Sequence, residues 1–439
     1  MEIDQLYKIY LESGLVSTDT RKIPQGCLFF ALKGESFDGN SFAQKALEAG
    51  AAYAIIDNPS YKLNDKYILV PDALKALQQL AQYHRSKLQI PVIGITGTNG
   101  KTTTKELVNC VLSQKFKTYA TQGNLNNHIG VPLTLLAIGS DTEIAIVEMG
   151  ANHQEEIKFL CGISQPGYGL ITNIGKAHLE GFGGPEGVKK GKGELYDWLV
   201  SRKGKAFINR DNPVLVDMAR ERGLQQVIYY GTGNEGLVSG ELTANDPFIK
   251  IEWRLNHAVI DPEIYSAGTH LTGNYNLENI LSAVCIGTFF GLSAKEINEG
   301  LSGYQPSNNR SQITKTSSNT LICDYYNANP SSMAVALDNF VGMQGQKKAV
   351  ILGDMFELGE DSAAEHKDIL KKALNIPANE YIFVGEGFYK EGEHRQSKAK
   401  FFRTTNEAYS FLKSHPIKDA VVLVKGSRGM HLEKLIELL

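Results

Sequence analysis

The residues with the clearest chemical potential lie in the stretch "PVIGITGTNGKTTTKELV", which runs from position 91 to 108. The run "VIGIT" is typical of a strand, and the residues after "GK" have the apolar spacing of a helix, so the glycines lie at a strand-to-helix turn. Amide groups at the start of a helix collect around phosphate oxygens. Gly97 and Gly100 let the backbone approach closely, Lys101 can reach a terminal phosphate, and Thr102 can offer its hydroxyl to Mg²⁺.

This loop is a shortened variant of the common phosphate-binding pattern G-x-x-x-x-G-K-[ST]. That pattern requires glycine where Ile95 stands, and here the first glycine of the loop comes two places later. A chance turn that only caps a helix is the alternative, but strand, turn, lysine, threonine and helix all coincide. We therefore predict a phosphate-binding loop made of Gly97, Thr98, Asn99, Gly100, Lys101, Thr102 and Thr103.

An acid and a histidine follow two further predicted strands. Glu148 ends the run "EIAIVE", and Asn173 and His178 lie in the glycine-rich stretch that follows "YGLI". Open α/β sheets bind their ligands at the carboxyl ends of strands, and a carboxylate there suits a Mg²⁺ beside Thr102. Taken singly, a glutamate like Glu148 is more often an ordinary strand-end charge, and a histidine like His178 is more often a surface residue than a ligand.

Three lysines stand close together in "GVKKGKGELYDWL", at the predicted start of a helix: Lys189, Lys190 and Lys192. A lysine cluster usually forms a solvated basic face. The chemistry of these residues alone does not separate that role from a functional one.

The elements that position these residues alternate between strands and helices along the chain. Its 439 residues, 42% of them hydrophobic, suffice for two or three hydrophobic cores. A helical stretch ends before "QIPV", and the linker "SGYQPSNNRSQ" is rich in Gly, Pro, Ser and Asn, so both places mark boundaries. We predict an α/β protein with a small N-terminal α/β domain (1–88), a central P-loop ATPase-like domain with a mostly parallel sheet (89–305), and a C-terminal Rossmann-like α/β domain (306–439).

Composition argues against several classes of protein. The 45 Lys and Arg residues and 48 Asp and Glu residues give a net charge of −3, and no charged block suggests a nucleic-acid partner or a membrane surface. The five cysteines are scattered without a C-x-x-C pair, as expected of reduced thiols. No signal-peptide pattern opens the chain, and its longest apolar run is shorter than the ~18 residues of a membrane span. We expect a cytoplasmic monomer without membrane insertion.

Motifs in all three predicted domains together resemble a known family, the Mur ligases of peptidoglycan synthesis, over essentially the whole chain. The first domain contributes "STDTRKIPQGCLFFALKGESFDGN", and the second contributes "GTNGKTT", "GNLNNHIGVPLTLL", "VEMGANHQEEI", "TNIGKAHLEGFG" and "KGE". The third contributes "YNANPSSM", "LGDMFELG" and "VLVKGSRGM", of which the first two resemble the branch that adds D-alanyl-D-alanine. The shortened phosphate loop is the form that this family uses.

The resemblance implies an ATP-dependent, ADP-forming amide ligase that joins D-alanyl-D-alanine to UDP-N-acetylmuramoyl-tripeptide. A carboxylate and an amine form an unreactive salt at neutral pH, so a carboxylate oxygen must first become a leaving group. The substrate carboxylate would attack the γ-phosphate of ATP to give an acyl phosphate, which the dipeptide amine would then attack. Because two anions meet in the first step, the reaction needs Mg²⁺ and a lysine beside the phosphate.

The resemblance also implies roles for individual residues. Beyond the loop, the implied ATP contacts are Asn279, Arg310 and Asp324. The implied metal ligands are Thr102, Glu148, His178 and a carbamylated Lys192, and the implied catalytic residues are Lys101, His178 and Lys192. The implied substrate contacts are Ser17, Asp19, Arg21, Asp38, Gly39, Asn124, Asn126, Asn127, Lys425 and Ser427. Because the ATP contacts lie on both sides of the linker, we expect the domains to close around ATP.

Two positions depart from the pattern of the family. It often reads G-x-H-N-x-x-N where this chain has "GNYNLEN", so that Tyr275 replaces the histidine. His128 stands where an acidic residue is more usual. The motifs leave open whether the third residue of the substrate peptide is lysine or diaminopimelate.

Two other functions are compatible with parts of this sequence. Another amide ligase of this fold, such as the family member of the preceding step or a folylpolyglutamate synthase, would use the same loop. The D-N-P-R motif usual in diaminopimelate-adding members does not occur, since "DNP" at Asp57 and at Asp211 lacks the arginine. A nucleotide-dependent binding module without ligation is the alternative of a different class, and the substrate-side motifs in all three domains argue against it.

Overall fold

The structure, a computed structural model, describes residues 2–245, 247–256, 263–307, 309–392 and 398–439. The N-terminal elements are α1 (Ile3–Ser13), β1 (Val16–Ser17), β2 (Leu28–Phe30), α2 (Ala43–Glu48), β3 (Tyr53–Ile56), β4 (Tyr67–Leu69) and α3 (Ala73–Lys87). The strands form a four-stranded parallel sheet in the order β1-β2-β3-β4. All four strands therefore end at the same edge, where the loops after β1 and β2 lie together.

The central part contains a nine-stranded sheet. Its strands are β5 (Val92–Thr96), β6 (Thr118–Ala120), β7 (Ile144–Glu148), β8 (Tyr168–Ile171), β9 (Lys205–Asn209), β10 (Val227–Gly231), β11 (Val238–Asn245), β12 (Ile249–Leu255) and β13 (Ile264–Gly268). Its helices are α4 (Lys101–Leu112), α5 (Gly130–Leu136), α6 (Glu156–Ser164), α7 (Leu179–Phe182), α8 (Pro185–Arg202), α9 (Pro213–Glu221), α10 (Asn276–Phe289) and α11 (Ala294–Gly303). The strand order is β13-β12-β11-β10-β9-β8-β5-β7-β6, parallel from β6 to β11 and antiparallel beyond.

The C-terminal part contains a six-stranded sheet in which the first strand is antiparallel and the others are parallel. Its strands are β14 (Gln312–Lys315), β15 (Thr320–Asp324), β16 (Lys347–Gly353), β17 (Glu380–Val384), β18 (Ala399–Phe402) and β19 (Ala420–Lys425). Its helices are α12 (Pro330–Gly342), α13 (Ser362–Leu374), α14 (Glu386–Gly392), α15 (Thr405–Ser414) and α16 (Glu433–Ile436). The strand order is β14-β15-β19-β16-β17-β18.

The N-terminal and central parts share one of their hydrophobic cores, and each part has a further core of its own. Leu6 and Leu77, from α1 and α3, belong to the same buried cluster as Leu135 and Leu160, from α5 and α6. This arrangement follows from α3, whose apolar stripe is wide enough to face the N-terminal sheet and the helices of the central part. The C-terminal sheet has separate cores on its two faces. The predicted domain boundaries at 88 and 305 remain predictions.

The α/β class, the parallel character of the central sheet and the strands "VIGIT", "EIAIVE" and "YGLI" are confirmed. The sequence does not predict the antiparallel extension β12–β13, because β12 buries only alternate residues and β13 is mostly exposed, so both lack the continuous apolar run of the inner strands. Asn308, in the predicted linker, lies outside the described residues. In the part of the chain that the structure describes, we find no helix with the length and apolarity to cross a membrane.

Candidate active site

The phosphate loop lies at the carboxyl edge of the central sheet, next to two neighbouring strands. β5 leads into the loop and is hydrogen-bonded to β7 on one side and to β8 on the other. Ile95 is in register with Glu148, and Thr96 with Ile171. The residues that end β7 and follow β8 therefore lie beside the loop, although they are distant from it in the chain.

Thr172 and Asn173 hold the loop by its backbone. Asn173 accepts the Asn99 N–H through Oδ1 at 3.0 Å and donates from Nδ2 to the Asn99 carbonyl at 3.1 Å. The Thr172 hydroxyl donates to the same carbonyl at 2.6 Å, and the Thr98 N–H donates to the Asn173 carbonyl at 3.0 Å. These bonds preorganise the loop, so that binding a phosphate does not have to order it.

Gly97 lies where only glycine fits, with φ of +139° and a position at which a Cβ would lie 2.1 Å from Thr172 Oγ1. We expect Gly97→Ala to displace the loop from Thr172 and to weaken ATP binding by about tenfold or more. Isothermal titration calorimetry measures this loss. Gly162→Ala is the matched control, because it lies in α6 with nothing within 4 Å of the added carbon. Unchanged affinity in Gly97→Ala would contradict the assignment of the loop.

Lys101 is the first residue of α4 and points back into the loop. Its Nζ donates to the carbonyls of Gly97 and Thr98 at 2.8 and 3.0 Å. Burial lowers the pKa of Lys101 to about 8, with Arg310 lowering it further and Glu148 opposing the shift. The side chain thus remains mostly protonated at neutral pH and supplies a positive charge at the loop.

Glu148 is 1% exposed at the end of β7. Its Oε1 accepts from the Thr102 hydroxyl at 3.2 Å and from Asn126 Nδ2 at 2.8 Å. Its Oε2 is buried and has no hydrogen-bond partner among the described residues. Because an unpartnered buried oxygen is costly and Mg²⁺ binds carboxylate and hydroxyl oxygens, Thr102 and Glu148 fit a magnesium site.

His178 lies at the contact between the central and C-terminal parts. Its Nδ1 is hydrogen-bonded to Oε2 of Glu357, and this bond lowers the pKa of the Glu357 carboxyl. Within the described residues, no group of three or more His, Cys, Asp and Glu side chains is arranged to hold a metal. The structure therefore places His178 at the site, paired with Glu357, rather than in a ready-made set of protein ligands.

Lys192 differs from its two lysine neighbours in burial. It is 2% exposed in α8, whereas Lys190 is exposed and Lys189 is half-buried. Its Nζ donates to the carbonyl of Ala151 at 2.9 Å and lies 5.0 Å from the centre of the Phe182 ring. Burial, with a further contribution from the charge of Lys101, holds the pKa of Lys192 well below its ordinary value. Lys192 is therefore not part of a solvated basic face.

Two cavities meet at the phosphate loop. The larger, of about 520 Å³, is lined by residues that include Lys101, Thr102, Glu148, His178, Asn124, Asn126, Asn127 and His128. The smaller, of about 300 Å³, is lined by residues from the start of α10, the linker and the C-terminal part. The residues that line both are Asn99, Gly100, Arg310, Tyr326 and Asn327.

Arg310 supplies a cation where the two cavities join. Its guanidinium lies 3.9 Å from the centre of the Tyr326 ring, and its Nε is buried with no hydrogen-bond partner among the described residues. An arginine that stacks on an aromatic ring and keeps a free donor is suited to bind an anionic group such as a phosphate.

The smaller cavity contains the other predicted ATP contacts. Asp324 and Lys425 are in register at the ends of β15 and β19, and Lys425 Nζ donates to Asp324 Oδ2 at 2.7 Å. Lys425, predicted as a substrate contact, thus lies beside the predicted ribose-binding acid. Asn279 lines the same cavity and accepts the Thr104 hydroxyl at 3.0 Å.

The side chain of Asn99 connects the phosphate loop to the C-terminal part. Its Nδ2 donates to Ser331 Oγ at 3.0 Å, and its Oδ1 accepts from Asn329 Nδ2 at 2.8 Å. An ion pair of 2.6 Å between Lys176 and Glu365 joins the same two parts. The two halves of the predicted ATP contact set are therefore in direct contact across the linker.

The predicted substrate contacts of the N-terminal part lie on one edge of its sheet. Asp19 and Arg21, in the loop after β1, form an exposed ion pair of 2.8 Å, and the buried Ser17 donates its hydroxyl to the Asp19 carbonyl at 3.2 Å. After β2, Asp38 accepts the Asn40 N–H at 2.9 Å, and Gly39 lies so close to Leu32 that no side chain fits there. These residues line neither of the two cavities at the loop.

The remaining predicted substrate contacts divide between the larger cavity and the protein interior. Asn124, Asn127 and His128 are exposed and line that cavity. Asn126 also lines it, although its amide is bound to Glu148. Ser427 is buried instead, and its Oγ accepts the Phe356 N–H at 3.1 Å.

Three residues at the site were missed as individual candidates: Tyr326, Asn329 and Glu357. Tyr326 stacks with Arg310, Asn329 bonds Asn99, and Glu357 pairs with His178. All three lie in the quoted motifs "YNANPSSM" and "LGDMFELG". These motifs could have indicated that the segments are functional. Which of their side chains face the phosphate loop depends on how the C-terminal part packs against that loop.

Comparison with known families gives matches along most of the chain. The model described as "Mur ligase family, catalytic domain" matches residues 13–85, the Mur ligase middle domain matches 95–287, and the "Mur ligase, glutamate ligase domain" matches 309–428. The UDP-N-acetylmuramoyl-tripeptide–D-alanyl-D-alanine ligase of Bacillus subtilis (strain 168) is 35% identical, over 96% of this chain and 92% of its own. The protein of that name from Escherichia coli (strain K12) is 32% identical, over 97% and 93%.

Solved structures resemble the fold over the same length. The crystal structure of MurF from Acinetobacter baumannii has a TM-score of 0.84 and 32% identity, and covers 96% of this chain and 92% of its own. The MurF ligase of Thermotoga maritima, solved in complex with ADP, has a TM-score of 0.83 at 24% identity, with 98% and 97% covered. At this identity, the similarity to the Thermotoga maritima structure shows a shared fold.

Proposed function

The chain belongs to the Mur ligase family, and from this premise we propose that it is an ATP-dependent, ADP-forming ligase that adds D-alanyl-D-alanine to UDP-N-acetylmuramoyl-tripeptide in peptidoglycan synthesis. Relatives that carry the name of this activity are at least 30% identical over nearly the whole chain. The observation that carries the proposal is the pair of cavities that share Gly100 and Arg310. One cavity suits a nucleotide and the other a carboxylate substrate, and they meet where a phosphoryl group would pass between them.

The proposed reaction has two steps. An oxygen of the tripeptide carboxylate attacks the γ-phosphorus of ATP, the bond from that phosphorus to the bridging oxygen breaks, and ADP leaves. The amine of D-alanyl-D-alanine then attacks the acyl carbon of the acyl phosphate, and inorganic phosphate and a proton are released. Both steps depend on position and charge stabilisation more than on covalent catalysis by the protein.

In the first step, the phosphate loop and two cationic side chains provide most of the positioning and charge stabilisation. The loop holds the phosphates, and the bonds from Thr172 and Asn173 to its backbone keep it in place. Lys101, within the loop, and Arg310, at the junction of the cavities, bind the oxygens of the transferring group and offset its charge. Asp324 accepts from the ribose, and Asn279 contacts the adenine, in the smaller cavity.

Two sets of residues would hold Mg²⁺. Thr102 and Glu148 would hold the first ion, which the partnerless Glu148 Oε2 supports. His178 and a carbamylated Lys192 would hold the second, as the family resemblance implies. Bound Mg²⁺ neutralises phosphate oxygens and so lets the two anions approach.

The substrate is proposed to extend from the larger cavity towards the N-terminal part. Asn124, Asn127 and His128 line the cavity and would contact the peptide. The edge that carries Asp19 and Asp38 would contact the UDP-sugar. On this proposal residues 1–88 bind the UDP end, 89–305 bind ATP, and 306–439 complete the site.

The experiment that tests the proposal measures ADP release by the purified protein with ATP and Mg²⁺. We expect fast release only when UDP-N-acetylmuramoyl-tripeptide and D-alanyl-D-alanine are both present, and a product mass equal to their sum less one water. The tripeptides with lysine and with diaminopimelate are tested in parallel. ADP release that does not depend on the dipeptide would indicate a nucleotide-dependent binding module, and product formed with a single free amino acid would indicate another ligase of the family.

A further inference from the structure

Tyr275 has no role in the reaction described above, although it stands where the family often has histidine. It directly precedes α10 and lines the smaller cavity. Its hydroxyl is hydrogen-bonded to the hydroxyl of Ser311 at 2.5 Å. Tyr275 belongs to the central part and Ser311 to the start of the C-terminal part. This bond therefore joins the two parts at the wall of the smaller cavity.

Ser311 in turn contacts the predicted ribose-binding acid. Its N–H donates to Asp324 Oδ1 at 3.2 Å, while Lys425 donates to Asp324 Oδ2 at 2.7 Å. Each oxygen of the carboxylate therefore has a donor, and the plane of the carboxylate is determined by Ser311 on one side and Lys425 on the other. A hydrogen-bonded carboxylate of defined orientation can accept from ribose hydroxyls without first being ordered.

Ser311 donates its N–H to Asp324 from an unfavourable backbone conformation, which other contacts must stabilise. Ser311 has φ of +49°, in the left-handed region that residues other than glycine rarely adopt. Asn309, two residues earlier, also lies there, with φ of +56°. Such conformations persist where surrounding contacts enforce them, and the bond from the Tyr275 hydroxyl is such a contact on the Ser311 side chain.

We propose that Tyr275 is a positioning residue for nucleotide binding: its hydroxyl holds Ser311 in the left-handed conformation, and the Ser311 N–H then orients Asp324 towards the ribose. This inference rests on the proposed function, because it assumes that the smaller cavity binds the nucleoside of ATP. Two other roles for Tyr275 predict different results. Its ring alone would matter if it stacked on the adenine, and its removal would only lower stability if it served packing.

Tyr275→Phe separates these roles, because it keeps the ring and removes only the hydroxyl. We expect it to raise the Kd for ATP by about tenfold, near the upper end of the loss for one hydrogen bond between neutral groups. The Kd for 2′,3′-dideoxy-ATP, which offers no ribose hydroxyl to Asp324, is expected to change less than about twofold. Ser311→Ala should give the same pattern, and the double variant should lose no more than either single variant.

The measurement is isothermal titration calorimetry of the full chain with each nucleotide and Mg²⁺, and a melting curve for each variant. Tyr10→Phe is the matched control, because it removes a buried tyrosine hydroxyl bond, to the Leu136 carbonyl at 2.6 Å, in the core shared with the N-terminal part. It is expected to leave both Kd values unchanged.

Three outcomes would overturn the inference: unchanged ATP affinity in Tyr275→Phe, equal losses for ATP and the dideoxy nucleotide, and wild-type protein that binds both nucleotides equally. Failure of the proposed function is a separate result, because it appears as wild-type protein that releases no ADP with both co-substrates present. Wild-type protein that binds ATP with preference for the ribose hydroxyls but does not ligate would leave the inference standing.

Discussion

Replacing Lys101 with alanine is expected to lower kcat by several powers of ten, on the order of a thousandfold, and to leave the fold intact. The side chain lies within the phosphate loop, with Nζ 2.8 Å from the Gly97 carbonyl. In phosphoryl transfer a protein acts through position and charge, so loss of the proposed cation beside the transferring group is expected to raise the barrier directly. Lys101→Arg is expected to retain little of the wild-type turnover, because the larger planar guanidinium cannot take the position of the compact lysine ammonium.

The measurement is steady-state ADP release at saturating substrates, with a thermal melting curve for each variant. Lys115→Met is the matched control, because Lys115 follows the same helix and its Nζ also donates to a backbone carbonyl, that of Gly291 at 2.6 Å. It lies outside both cavities and is expected to keep wild-type turnover. Retained activity of Lys101→Ala with an unchanged melting curve would remove Lys101 from the catalytic machinery.

Replacing Lys192 with alanine is expected to lower turnover at least a hundredfold, on the order of the loss of one catalytic charge. The proposed active form is a carbamate: the neutral amine attacks the carbon of CO₂, a C–N bond forms, and one proton is released. That step requires a deprotonated amine, and the burial that lowers the pKa of Lys192 favours one. The product is an oxygen anion suited to Mg²⁺, whereas an ammonium would repel the ion.

Added acetate or another short-chain carboxylate is expected to restore part of the activity of Lys192→Ala, because a small acid can occupy the vacated anion position. ¹³C NMR after exposure to ¹³CO₂ gives a second readout, with a carbamate signal expected in the wild type and lost in Lys192→Ala. Lys190→Ala is the control, since Lys190 is exposed on the same helix. Full activity of Lys192→Ala in CO₂-free buffer would falsify the carbamate proposal.

The local secondary structure around the phosphate loop can be predicted from the sequence. The β5 strand, the turn with Gly97 and Gly100, and the α4 helix are predicted correctly, because apolar spacing and turn residues act over a few neighbouring positions. The same reasoning identifies the α/β class and the mostly parallel central sheet. Family motifs add candidate roles for residues such as Asp324, which chemistry alone does not provide.

The tertiary structure decided which of these residues meet. Strand order is not encoded in any single strand, so only the β8-β5-β7 arrangement shows that Asn173 and Glu148 both flank the loop. Lys190 and Lys192 are alike as sequence, yet the packing of α8 buries one and exposes the other. The bond from Tyr275 to Ser311 joins the start of α10 to the segment before β14. Such contacts depend on how segments that are distant in the chain pack together. A local sequence pattern does not show which distant residue a side chain will contact.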